Sequence, residues 1–173
     1  DFRAYNNLGM MAYANGDLAT AENYFKQAAS KSSNAAEVNT NLGLIELTKG
    51  NVANAETYLS KSTGANTANE ALGNLYIKQG QYDRAVNAFG DAKTNSAAQA
   101  QILAKDYNKA KATLSAIKNP DAMTDYLMAI VGARTNNASL VSSSIKSAIA
   151  KDASMAQRAA NDREFAKFAD SIK

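Results

Sequence analysis

The chain carries 16 carboxylates and 19 basic side chains but no histidine and no cysteine. Thiol nucleophiles, disulfides, imidazole acid–base relays and most zinc or haem sites therefore lie outside its chemistry. No glycine-rich phosphate loop follows a strand-like run, and no nucleophile stands beside a base. The acids fall at expected helix starts and exposed faces, where capping and the helix dipole account for them. Asp162-Arg163-Glu164, for instance, reads as the opening of a last helix. These residues predict no catalytic site, no cofactor and no metal. Amide chemistry remains, supplied by 19 asparagines. Asn7 and Asn41 each stand one residue before a Leu-Gly dipeptide. A carboxamide donates and accepts at once, so two of them at one phase of a repeated element could clasp a peptide backbone. Ala71 fills that phase in the third copy, leaving two rungs. In a chain this rich in asparagine, two matches also arise by chance.

The elements that would position them are visible in the same dipeptides. Leu8-Gly9, Leu42-Gly43 and Leu72-Gly73 stand at spacings of 34 and 30 residues, and each leads the same train. A glycine follows the leucine by 8 (Gly16, Gly50, Gly80), and an alanine comes 5 later (Ala21, Ala55, Ala85). A large apolar residue stands 4 beyond (Phe25, Leu59, Phe89), then a small one 3 further (Ala28, Ser62, Ala92). This five-point pattern resembles the tetratricopeptide repeat (TPR), a 34-residue helix–turn–helix. The resemblance implies an all-α fold, a right-handed α-α superhelix of about five helix pairs closed by a C-terminal capping helix.

The spacing has a physical reading. Gly9, Gly43 and Gly73 lie inside first helices, where glycine costs roughly 1 kcal/mol relative to alanine. That cost is tolerable where a partner helix crosses too closely for a side chain. The alanines at 21, 55 and 85 are the matching small surfaces, and Phe25, Leu59 and Phe89 are knobs between consecutive pairs. Gly16, Gly50 and Gly80 stand where a first helix must end with φ > 0. The pattern predicts helices over 2–15 and 18–30, 34–49 and 52–63, 66–79 and 82–93. Asp17 is a cap, and Asn34 with Glu37 and Thr67 with Glu70 have capping-box spacing. Tyr76, Tyr82 and Tyr107 read as core residues, with Tyr13 the more open to a ligand.

Beyond residue 94 the pattern thins. Tyr107, Ala110, Leu114 and Ile117 repeat the second-helix offsets after a short helix over 95–104. Asn119-Pro120-Asp121 has the order cap, proline and acid of a helix start. A fifth pair spans 120–135 and 138–151, turning at Asn136-Asn137. Phe165, Phe168 and Ile172 form the stripe of a last amphipathic helix within a cap over 152–173. The expected organisation is one solenoid domain, 1–173, with clear repeats over 2–33, 36–65 and 66–94 and degenerate pairs over 95–118 and 120–151.

In the family this chain resembles, first helices line a concave groove that holds peptides. By phase the groove would take Asn6, Asn7, Met10 and Tyr13; then Thr40, Asn41, Leu44, Leu47 and Thr48; then Glu70, Asn74, Ile77 and Lys78. The partner-binding set is Asn6, Asn7, Met10, Tyr13, Asn41, Leu44, Leu47, Asn74, Ile77 and Lys78. The family subtype that clamps chaperone C-terminal carboxylates needs basic residues where this chain has Asn6, Thr67 and Ala71. Only Asn41 fits, so that clamp is absent.

The net charge of +3 and pI near 9.0 come from scattered residues with no run of like charge. This describes a solvated surface rather than a nucleic-acid footprint. Nothing in the segment is long and apolar enough to insert in a membrane. The expected function is a non-enzymatic scaffold binding a protein or peptide partner, with no nucleic acid and with oligomeric state open. The setting expected is a bacterial cell-envelope assembly, periplasmic or outer-membrane associated, on the cysteine-free, Asn/Ala/Lys-rich composition and a general resemblance to envelope TPR segments. A cytoplasmic setting stays open, as does removal of a signal sequence or upstream repeats ahead of Asp1. The alternative is an accessory TPR domain of a larger enzyme or transport protein.

Overall fold

The computed structural model describes residues 1–62 and 64–173. All their regular structure is helical: α1 (Phe2–Ala14), α2 (Leu18–Lys31), α3 (Ala36–Thr48), α4 (Val52–Ser60), α5 (Asn66–Lys78) and α6 (Tyr82–Phe89). Then come α7 (Asn95–Leu103), α8 (Tyr107–Ser115), α9 (Ala122–Arg134), α10 (Ala138–Lys151), α11 (Met155–Asn161) and a 3-10 segment, Arg163–Ser171. The expected helix-pair repeat is thus present. The chain divides into two compact units, Asp1–Gln79 and Gly80–Lys173, with the boundary inside the third pair.

In the first unit, consecutive helices pack as pairs and pair on pair: α1 on α2, α2 on α3, α3 on α4 and α4 on α5. The helix-crossing role expected of glycine holds at Gly9 and Gly43. A Cβ on Gly43 would lie 2.6 Å from Leu59 Cγ and 3.4 Å from the Ala55 carbonyl oxygen. A Cβ on Gly9 would overlap the Phe25 ring. Phe25 therefore fills the crossing of its own pair and also joins Val38, Leu42 and Ile45 of α3 in one cluster. Gly16 and Gly50 take φ of 80° and 79°, the left-handed conformation that ends each first helix.

Two helix starts differ from expectation. α3 and α5 begin at Ala36 and Asn66, with Ala35 and Ala65 as caps that make no side-chain bond. The Asn34/Glu37 and Thr67/Glu70 boxes do not form, because both helices begin too close to Glu37 and Thr67 for that spacing. Near the start of α3, Asn39 instead donates to the Ser33 and Ala35 carbonyls at 3.0 and 3.2 Å. Asp17 does cap α2, accepting from Thr20 N at 3.1 Å.

Glu46 also departs from the expected exposed role. It is buried on α3, accepts from Asn51 at 2.8 Å and Asn54 at 3.3 Å, and pairs with Lys49 at 3.1 Å. Lys49 reaches on to Glu22 of α2 at 3.1 Å. The Asn51 bond, followed by Lys49 and Asn54, holds the Glu46 carboxyl below its usual range against the opposing effect of burial. This cluster ties α2, α3 and the α3–α4 turn together.

In the second unit the helices again pack in sequence order, α6 through α10. Lys105 (φ 64°) and Asn136 (φ 55°) hold the turn conformation without glycine. α9 starts two residues later than Pro120 suggested. Asp121 is the cap, accepting from Thr124 N at 2.8 Å while Thr124 Oγ1 accepts from Asp121 N at 3.1 Å. The capping region is two elements rather than one helix, α11 and the 3-10 segment, the latter kinked at Phe168. Its seat is as expected: Phe165 and Phe168 bury against Tyr126 of α9 and Ile145 of α10. Tyr126 stands edge-on to Phe165 with centroids 5.5 Å apart and donates its hydroxyl to Asp162 Oδ2 at 2.6 Å. Burial, then Asp162, pushes that phenol far above its ordinary pKa. Asp162 also caps the 3-10 segment, and Arg134 Nε bridges both Glu164 oxygens at 3.0 Å.

Candidate partner-binding groove

The expected binding residues all lie in the first unit, on α1, α3 and α5. The structure brings four of them around one recess: Met10 and Tyr13 from α1, and Asn41 and Leu44 from α3. Its floor is Phe25, a residue the sequence assigned only to the core. The signal was present in Gly9, whose missing side chain gives the ring room. The recess is small, about 30 Å³, enough for a methyl-sized group.

The asparagines pair differently from the equal-phase ladder. Asn41 Nδ2 donates to Asn6 Oδ1 at 2.9 Å, bridging α3 to α1. Asn7 is exposed and outside the recess. Neighbouring helices are offset, so the residue opposite Asn41 is not its counterpart in the repeat. One Asn41 proton is committed, leaving Asn41 Oδ1 and Asn6 Nδ2 able to meet a peptide group.

Leu47, Asn74 and Ile77 are half-buried, while Lys78 is exposed at the end of α5. None of these four lines the recess. Two residues assigned to the groove by phase turn back on their own helix. Thr40 is buried and donates to the Ala36 carbonyl at 2.8 Å. Thr48 Oγ1 donates to the Leu44 carbonyl at 3.0 Å. Tyr76 is buried with its hydroxyl on Glu56 at 3.0 Å, as a core tyrosine should be. The recess and its rim contain no charged side chain. It can take apolar atoms and bond a neutral amide, but it offers no group for bond-making chemistry. Among the described residues, no three acids cluster as metal ligands, and no helix is long and apolar enough to cross a membrane.

Family models described as tetratricopeptide repeat match residues 6–70 and 69–96, together more than half of the chain. The chain belongs to the tetratricopeptide repeat family. A tetratricopeptide repeat protein from Parabacteroides merdae superposes with a TM-score of 0.77 at 18% identity, covering 99% of this chain and 76% of that one. A thermophilic TPR protein from Thermus thermophilus gives a TM-score of 0.53 at 14% identity, covering 91% of this chain and 96% of its own. At such identities the likeness is one of fold. Compared by sequence with curated proteins, the chain matches none. TPR repeats mediate protein–protein interaction, and this TPR chain presents its neutral recess on the first helices α1 and α3.

Proposed function

We propose that the first unit is a non-catalytic scaffold that holds a partner protein through a peptide segment laid across α1, α3 and α5. The observation that carries this reading is the recess built by Met10, Tyr13, Asn41 and Leu44 over Phe25, with the Asn6–Asn41 pair at its side. An apolar side chain entering it loses water contact. A peptide group beside it finds both a donor and an acceptor in the two carboxamides. An uncharged lining favours an uncharged peptide and gives no electrostatic purchase on phosphate. The proposed setting is a bacterial cell-envelope assembly, supported by the cysteine-free composition.

Immobilised chain should recover the partner from an extract of its own cells, and titration calorimetry then tests the site. Asn41→Ala should keep the fold and cost roughly 1–3 kcal/mol of affinity, the penalty for stranding a buried peptide group. The same titration at high salt should change little. Unchanged affinity in Asn41→Ala removes the carboxamides from the reading, and a steep salt dependence moves the site to a charged surface. Recovery of the chain in the cytoplasmic fraction of its own cells would discard the envelope setting.

A further inference from the structure

The recess between α1 and α3 is bounded most firmly in its depth. Phe25, its floor, is 1% exposed, and its ring lies so close to Gly9 that a Cβ there would overlap it. The same side chain is held in one cluster with Val38, Leu42 and Ile45 of α3. A close-packed ring of this kind cannot withdraw to make room. Tyr13 and Leu44 are half-buried walls, and Met10 is the open one, 46% exposed. The space they leave, about 30 Å³, takes a single methyl group and not the four carbons of a leucine.

The position of the carboxamides limits the occupant independently. Asn41 lines the recess, and its Nδ2 donates to Asn6 Oδ1 at 2.9 Å. The pair keeps one acceptor, Asn41 Oδ1, and one donor, Asn6 Nδ2, beside the opening. A residue that enters the recess while its own peptide groups meet these amides must have a short side chain. In alanine a single bond joins Cα to the methyl. Each further carbon lifts the backbone away from the carboxamides.

We infer that the recess reads an alanine. A partner segment presents that methyl to Phe25 while Asn6 and Asn41 bond the peptide groups flanking it. The inference rests on the reading of this surface as a peptide site and adds the residue recognised there. Glycine would leave the floor without contact. Leucine would have to displace Met10 or Phe25. A charged side chain would find no counter-ion, since the lining has none and α1 carries no charge from Ala4 to Gly16.

A display library of random dodecapeptides, selected on the immobilised 173-residue chain, supplies the probe. The selected peptides should share an alanine at one position. One of them is then synthesised with glycine or leucine at that position and titrated by fluorescence anisotropy. Glycine should weaken binding about fourfold, the loss of one buried methyl. Leucine should weaken it about tenfold or more, the cost of overpacking. Met10→Ala opens the exposed wall without touching the core, and should abolish the leucine penalty while circular dichroism shows the fold kept. Asn41→Ala should weaken the alanine and glycine peptides by the same factor. Peptides that depend on Asn41 but share no alanine, or a leucine penalty that survives Met10→Ala, overturn the inference and leave the peptide site standing. No selected peptide, or binding indifferent to Asn41→Ala, removes the peptide site and the inference with it.

Discussion

The two units solve the same construction problem with different residues. In the first, the turns that end α1 and α3 use glycine, and the helix crossings use Gly9 and Gly43. In the second, Gly80 keeps that device, but Lys105 and Asn136 adopt the same left-handed turn with a side chain attached. The crossing of α9 over α10 uses Gly132, where a Cβ would lie 3.0 Å from Val141 N. A left-handed residue other than glycine costs on the order of 1–2 kcal/mol. Asparagine lowers that cost, and packing around the turn must offset it for lysine. The geometry outlasts the residue pattern, so a repeat can fade from the sequence while its backbone stays.

The units also differ at their outer faces. α11 and the 3-10 segment close the second unit with apolar contacts, fixed in place by polar anchors at Tyr126–Asp162 and Arg134–Glu164. The α1 face carries no such cover. Truncation after Ser154 is therefore the most damaging test of the comparison. It removes Met155, Phe165 and Phe168, each worth roughly 1.5–3 kcal/mol when buried, from a fold with ~5–15 kcal/mol in total. The shortened chain should aggregate or melt far below its parent in circular dichroism. An unchanged melt would make the cap dispensable.

Gly43→Leu ranks next. Leu59 and the Ala55 carbonyl already occupy the added volume, and overpacking costs about 1–3 kcal/mol. The melting midpoint should fall by several degrees, and a shift within a degree or two would refute the close crossing.

Acid should strike the first unit through Glu46. Its carboxyl is lowered from 4.5 in the folded chain, chiefly by Asn51, so it binds protons less readily folded than unfolded. Stability from this cluster is full above that unfolded value and is lost as pH falls through the lower, folded one. In urea melts, Glu46→Gln should destabilise at neutral pH and flatten the stability slope below about pH 4.5. An unaltered slope would show that the cluster contributes nothing to acid sensitivity.

Lys105→Gly should have the smallest effect, a gain of about 1 kcal/mol or less. Relief of the left-handed strain outweighs the entropy that glycine adds to the unfolded chain. A loss in a chemical melt would mean that the lysine stem packs better than its backbone conformation suggests.

Periodicity alone determined the helix pairs, the turn glycines, the crossings at Gly9 and Gly43 and the buried stripe of the cap. Each is a local or equal-phase constraint, and spacing reports those directly. Capping boxes at Asn34 and Thr67 were misread because side-chain spacing does not say where a helix begins. Buried Glu46 was invisible because its partners come from the following turn and from α4, and the Lys49 beside it is shared with Glu22 of another helix pair. The groove was legible as a set of helix faces, but its chemistry was not. Whether Asn41 meets Asn6 or Asn7, and whether Phe25 serves only the core or also floors a recess, depends on the offset between neighbouring helices. Packing sets that offset, and only the tertiary structure contains it.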